Sequence, residues 1–291
     1  MTAKDTRAGI WLMIAAVACY TVQDGISRHL AGEYNVLMVV MIRYWFFAAF
    51  VIGMALRKPE GLRAAVATSR PGLHLARASL HIAEICVIVA SFTLIGLINT
   101  HAVFAVCPLI IAALSGPILG EKVGLARWIA IGAGFTGILV ILRPGSDLFS
   151  VAAFLPLASA ALFALYSVLT RLATRAEASF VAFFWSGVLG CAMMTVIGAW
   201  FWQPMTAADW GWTVANGAVA ILSNWLLIRC YARAEASAVQ PFAYLQLVFV
   251  SLMGVTIFNE ALALPTVIGA VIVVSAGLAT LLQLGRTERT A

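Results

Sequence analysis

The chain has 291 residues, of which 63% are apolar and only 10% charged, with a formal net charge of +6. A soluble domain is about 45–50% apolar and about 25% charged, and a soluble surface has no room for this much hydrocarbon. The same numbers exclude disorder, which needs few apolar residues and many charges. What remains is an all-α integral membrane protein, with room for about ten spans of about 20 residues and no further soluble domain. The positive charge does not point to nucleic acid, because the basic residues stand singly between apolar runs.

Apolar runs between loop signals predict helices at roughly 9–28, 35–56, 72–95, 100–119, 125–142, 151–171, 179–200, 211–231, 238–258 and 265–284. The runs are too long and too continuously apolar for barrel strands, which alternate. The first run follows Lys4 and Arg7 and ends near a lipoprotein-like Ala16-Val17-Ala18-Cys19. It lacks the usual leucine and continues past Cys19, which favours an uncleaved span. Cys19, Cys86, Cys107, Cys191 and Cys230 each sit in an apolar run and read as buried thiols.

Orientation follows from the loops. With a cytoplasmic N-terminus the inner segments hold Lys4, Arg7, Arg57, Lys58, Arg63, Arg70, Lys122, Arg127, Arg171, Arg175, Arg233, Arg286 and Arg289. The outer segments hold only Arg28 and Arg143, a bias of thirteen against two. Both termini are therefore expected on the cytoplasmic side of a bacterial inner membrane. Trp200, Trp202, Trp210 and Trp212 read as an interface belt around one outer loop.

The halves resemble each other. A shift of 139 residues places Glu121 on Glu260, Phe92 on Tyr231 and Ala130 on Gly269, and a shift of 143 places Ser27-Arg28 on Thr170-Arg171. Five helices is an odd number, so the second copy enters from the opposite side. The expected architecture is ten transmembrane helices as two inverted five-helix repeats around a central cavity, residues 1–145 and 146–291.

Pro108, Gly120-Glu121, Gly132, Gly134 and Gly137 resemble the signature of the drug/metabolite transporter superfamily, in its ten-helix type with two EamA domains. In the second copy Leu247 and Asn259 depart from the pattern, while Glu260, Gly269 and Gly277 keep it. The aromatic amino-acid exporters look most similar within the family. The resemblance implies a secondary transporter that moves small metabolites, amino acids among them, by alternating access.

Ionisable groups inside spans are costly and usually face a partner or a wet cavity. Glu84 and Arg43 come out at matching depths, about 18 Å from the inner surface at about 1.5 Å per residue. Arg77, His81 and Glu84 share one helix face, and Asp24 competes with Glu84 as the partner of Arg43. Two readings stand for Arg43, Glu84 and Asp24: a structural ion pair, or a site that binds cargo or carries protons. Tyr20, Gln23, His81, Glu84, Phe163, Tyr166, Asn224 and Tyr244 are the candidate cavity wall, with ordinary helix packing as the alternative. Pro108 and Pro117 are expected to interrupt span four, Pro156 span six and Pro241 span nine. Glu121 and Glu260 end spans four and nine and read as contacts to neighbouring helix ends.

No phosphate-binding Gly-x-x-x-x-Gly-Lys loop occurs, and His29, His74, His81 and His101 form no zinc-type pair. No enzyme activity, cofactor, metal or nucleic-acid partner is expected. The expected partners are a small-molecule cargo and membrane lipid. The leading expectation is an exporter of amino acids, aromatic or large apolar ones. The alternatives are a carrier of another metabolite or drug, a channel-like protein, or an intramembrane lipid-modifying enzyme.

Overall fold

A computed structural model describes residues 3–59, 61–120, 125–142, 154–234, 239 and 242–287, and all of its regular structure is helical. The helices are α1 (Ala3–Glu33), α2 (Val36–Arg57), a short α3 (Gly61–Val66), α4 (Pro71–Ile95), α5 (Leu97–Phe104) and α6 (Cys107–Leu119). They continue with α7 (Leu125–Leu142), α8 (Phe154–Ala176), α9 (Ser179–Gly198), α10 (Ala207–Arg233), α11 (Leu245–Thr256) and α12 (Leu264–Thr287). Polar residues set several ends. Asn35 accepts from the Leu37 amide at 2.9 Å to start α2, and Thr206 accepts from Asp209 at 3.2 Å to start α10. Gly120 ends α6 in the left-handed region at φ 71°.

Among the described residues, seven segments are long and apolar enough to cross a membrane: α1, α2, α4, α5 with α6, α8, α9 with the turn after it, and α10. Shorter apolar stretches lie in α7, α11 and α12. The distribution of polarity is that of a chain in lipid. Trp11, Leu56, Ile129, Val196 and Leu252 point outward, more than 60% exposed, while Asp24, Arg43, Arg77, His81 and Glu84 are buried. The protein is a multi-pass membrane protein.

The observed elements refine the expected spans. The first helix begins at Ala3 and runs on to Glu33, past the expected end at 28. The fourth run breaks at Ala105-Val106 into α5 and α6, with Pro108 in the first turn of α6 and Pro117 inside it. Pro156 lies in the first described turn of α8, which is helical on to Ala176. Pro241 and Glu121 lie outside the described residues.

The most extensive packing joins α1 to α10, α7 to α12, α2 to α9 and α4 to α8. Next come α6 with α8, α10 with α2, α4 with α9 and α1 with α11. At the α7–α12 crossing, a Cβ on Gly137 would stand 2.8 Å from the Gly269 carbonyl oxygen, and one on Gly269 would stand 2.5 Å from that of Gly137. Backbone cannot retreat as a side-chain end can. Gly137→Ala is therefore expected to destabilise by about 1–3 kcal/mol, read as a lower denaturation midpoint in detergent. An unchanged midpoint would remove these glycines from the account of how α12 is held.

Candidate functional site

The centre of the bundle holds two adjoining cavities of about 40 Å³ each, which share Tyr20, His101, Phe104, Phe163 and Gln246. One is ionic, lined further by Gln23 and Asp24 from α1, Arg43 from α2, and His81 and Glu84 from α4. The other is mostly apolar, lined by Met13, Val17, Cys107, Pro108, Leu227 and Tyr244 among others. Glu84 stands near the middle of α4, about 20 Å from Pro71 and about 17 Å from Ile95 at about 1.5 Å per residue. A larger groove of about 540 Å³ between α11 and α12 is lined by Leu247, Val248, Leu252, Val271 and similar residues, with no ionisable group. It offers hydrocarbon contact and no chemistry, so the smaller central cavities are the candidate site.

Each polar group of the ionic cavity has its own neighbours. Asp24 Oδ2 stands 3.1 Å from His101 Nε2 and accepts from Gln246 Nε2 at 3.1 Å. Glu84 Oε2 stands 3.3 Å from His81 Nδ1, and Ser159 Oγ lies 3.3 Å from Glu84 Oε1. Gln23 accepts from Ser223 at 2.9 Å. The rings form a second set. His81 stacks on Tyr166, centroids 4.3 Å apart and 7° from parallel. Phe163 lies edge-on to Tyr20 at 6.4 Å and packs on Phe104 at 5.7 Å.

The structure thus brings Tyr20, Gln23, Asp24, Arg43, His81, Glu84, Phe163 and Tyr244 to the two cavities. Tyr166 and Asn224 stand one layer behind, where Tyr166 donates to Asn224 Oδ1 at 3.1 Å and Asn224 Nδ2 meets His81 Nε2 at 3.2 Å. The expected direct pair of Arg43 with Glu84 is not formed. No carboxylate oxygen lies within 4 Å of the Arg43 guanidinium among the described residues, and its Nη2 is buried without a hydrogen-bond partner. Depth along a helix does not fix rotation about it, so the two groups share a cavity without touching. Sequence reasoning missed His101, Phe104 and Gln246. Gln246 carried a signal, since it is a lone amide in an apolar run, as Gln23 and Asn224 are.

Ties close the bundle at both ends. At one end Glu260, which follows α11, accepts from the Leu97 and Ile98 amides at 2.8 Å each and pairs with Arg28. Arg28 also lies 4.2 Å from the Phe258 ring centroid, and Tyr34 donates to Asp209 at 2.7 Å. Glu260 thus bonds to a neighbouring helix end, as expected. At the opposite end Glu177, between α8 and α9, accepts from the Thr68 hydroxyl at 2.8 Å and the Ser69 amide at 2.9 Å. Arg77 Nη1 donates to His74 Nδ1 at 3.1 Å, which leaves His74 Nε2–H as the donor to Glu177 at 2.8 Å. Arg175 donates to the Leu119 carbonyl at 2.9 Å.

Burial acts to raise the Glu177 pKa, but the hydrogen bonds from His74, Thr68 and Ser69 outweigh it and hold the group at about 2. Because the folded value is depressed, this clasp contributes fully above the ordinary glutamate value of about 4.3. The contribution is lost as pH falls through about 2. Thermal unfolding of the wild type and of Glu177→Gln should differ at pH 7 and converge only below about pH 2. A gap that persists at low pH would assign the stabilisation to something other than the carboxylate.

Cavities of about 40 Å³ each hold a few waters, far below the about 300–1,000 Å³ of a small-molecule site. With helices tied at both ends, the described cavities leave no room for a metabolite, so cargo needs the helices around them to move apart. Charges and rings gathered around cavities inside a membrane-spanning helical bundle are the arrangement found in membrane carriers.

The EamA-like transporter family matches residues 7–143 and 150–282, so the chain belongs to that family, with two EamA domains. It is 30% identical over 292 residues to a riboflavin transporter of Brucella anthropi, across 96% of this chain and 100% of that protein. It is 23% identical to an S-adenosylmethionine uptake transporter of Rickettsia prowazekii, across 94% and 92%. A crystal structure superposes with a TM-score of 0.72 at 15% identity, over 97% of this chain and 99% of the other, a likeness of fold. The chain is a secondary transporter of a small metabolite across the membrane and not an enzyme.

Proposed function

We propose that this transporter carries flat heteroaromatic metabolites of the flavin kind through the central cavity by alternating access. The cargo pocket is lined by Tyr20, Gln23, Asp24, Arg43, His81, Glu84, Phe163 and Tyr244, with Tyr166 and Asn224 supporting it. The observation that carries this reading is the pairing of a ring-lined cavity with an ionic one at mid-bundle. The riboflavin relative, matched end to end, favours a non-amino-acid metabolite over the amino-acid export expected from the sequence.

The architecture in this reading is ten spans in two inverted halves, 1–145 and 146–291, with both termini cytoplasmic. The packing supports it. Taking α5 and α6 as one span, advancing every span by five turns the α1–α10 contact into α8–α4 and the α6–α8 contact into α11–α1. The α2–α9 and α7–α12 contacts map onto themselves. A two-fold relation between the halves gives this pattern. All of these contacts join one half to the other, so the bodies that rock are bundles drawn from both halves, not the repeats themselves.

The test is flux in liposomes containing the purified chain. Riboflavin uptake should saturate and show counterflow, and tryptophan should not compete. Flux without saturation would make the protein a channel. Tryptophan counterflow without riboflavin counterflow would restore the amino-acid reading. Labelling of a cysteine placed at residue 4 from outside intact cells would reverse the orientation.

A further inference from the structure

We propose that Arg43 is a specificity-determining residue that reads a vicinal-hydroxyl chain on the cargo, while the ring-lined cavity holds the flat aromatic part. This rests on the flavin reading above and adds a division of labour within the site.

The first argument is open hydrogen-bonding capacity. Arg43 is 4% exposed, yet its Nη2 has no hydrogen-bond partner; it lies 5.9 Å from the Tyr44 ring centroid and shares the ionic cavity with Asp24, His81 and Glu84. A guanidinium carries five donors and is charged at any physiological pH. A buried one without a partner carries a large desolvation penalty. The polar side chains around it are already engaged: Gln23 with Ser223, Gln246 with Asp24, and Glu84 with Ser159. The Tyr20 and Tyr244 hydroxyls are also buried without partners, and both line the cavities. Arg43 Nη2 and the Tyr20 hydroxyl are thus unpartnered at the ionic cavity, and the Tyr20 and Tyr244 hydroxyls at the adjoining apolar one, which is what a site awaiting a polar ligand presents.

The second argument is charge. An anionic group brought to Arg43 would also face Asp24 and Glu84, with His101 and His81 beside those two carboxyl groups. A cationic group brought to the carboxylates would face Arg43. A hydroxyl meets neither obstacle, because the same oxygen accepts from a guanidinium and donates to a carboxylate. A chain of neighbouring hydroxyls spans donors and acceptors set side by side, and Phe163, Phe104 and Tyr20 stand at the boundary to receive the ring.

The experiment is counterflow in liposomes with labelled riboflavin as the reporter. The competitors are lumiflavin (the same ring with a methyl in place of the hydroxylated chain), flavin mononucleotide and tryptophan. In the wild type, riboflavin should compete at least about tenfold better than lumiflavin, since a site built to hydrogen-bond a group rejects the analogue lacking it. Flavin mononucleotide should compete poorly. In Arg43→Met, riboflavin should fall to the level of lumiflavin while lumiflavin is unchanged, and Arg43→Lys should recover part of the difference. If Arg43→Met weakens both flavins equally, or neither, the Arg43 assignment is overturned while flavin transport stands. If flavin mononucleotide competes better than riboflavin, the site reads an anion and the hydroxyl assignment is overturned. If no flavin competes in the wild type, the cargo reading fails and takes this inference with it. Should Arg43→Met fail to fold, Tyr20→Phe removes one open hydroxyl from the same cavity. It should narrow the riboflavin–lumiflavin gap, and an unchanged gap there counts against the proposal.

Discussion

Replacing Glu260 by alanine should destabilise the protein and open the Arg28 end of the bundle. The carboxylate accepts from two amides at 2.8 Å each at the start of α5 and pairs with Arg28. Its removal leaves two donors and a guanidinium unsatisfied at once. Fully buried pairs broken on one side cost about 3–5 kcal/mol. Here the Arg28 and Glu260 side chains keep 20% and 14% exposure, so about 2–4 kcal/mol is expected. Gly96 precedes the capped helix at φ 84°, and a Cβ there would stand 3.0 Å from Glu260 Oε1. Gly96→Ala should therefore weaken the same tie by displacing the carboxylate. Once Glu260 is gone, Arg28→Ala should add little, since the two act as one unit. The functional readout is chemical labelling of Gln23→Cys in a cysteine-free background, which should speed up in Glu260→Ala when reagent is applied from the Arg28 side. Additive stability losses together with unchanged labelling would show that this contact does not close the cavity.

The membrane class and most of the apolar runs were legible because hydropathy is a local property. The convergence of Gln23, Asp24, Arg43, His81 and Glu84 on one cavity was legible for a related reason. Ionisable groups inside spans have few places to go. What was not legible was which group meets which. Matching the depths of Arg43 and Glu84 fixed their positions along the bundle axis, while rotation about each helix is set by packing with other spans. Hence Glu84 meets His81 and Ser159, and Asp24 meets His101 and Gln246. His101 was dismissed by a local test for metal-ligand spacing, and it reaches Asp24 through tertiary packing alone. Glu260 was placed correctly at a helix end. Its two amide partners depend on α5 being a separate helix with its own N-terminus, and the break near Pro108 only hinted at that.

Asn224→Leu should give the second large effect, and its mechanism lies in a directional chain of hydrogen bonds. Tyr166 O–H donates to Asn224 Oδ1 at 3.1 Å, which turns the amide so that Nδ2 donates to His81 Nε2 at 3.2 Å. His81 is then the neutral Nδ1–H form, with that nitrogen 3.3 Å from Glu84 Oε2. Asn224 is 4% exposed and Tyr166 fully buried, so water does not replace what the mutation removes. Leucine strands His81 Nε2, at about 1–3 kcal/mol for a buried group left unsatisfied, and takes from the Tyr166 hydroxyl one partner among several, since Thr170, Ser186 and Arg77 also bond to it. Tyr166→Phe alone strands the Asn224 oxygen and also takes a partner from the buried Arg77, so combined with Asn224→Leu it should cost less than the sum of the two single changes, but not nothing. Asn224→Asp makes a different prediction. A carboxylate still accepts from Tyr166 but offers no donor to His81, so the ring must present Nε2–H and leave Nδ1 bare before the Glu84 carboxylate. Nitrogen NMR of labelled histidine should then report Nδ1–H in the wild type and Nε2–H in Asn224→Asp, with transport lost in the variant. Finding Nε2–H in the wild type, or additive costs for the Tyr166 and Asn224 changes, would mean that this chain does not orient His81 in the cavity wall.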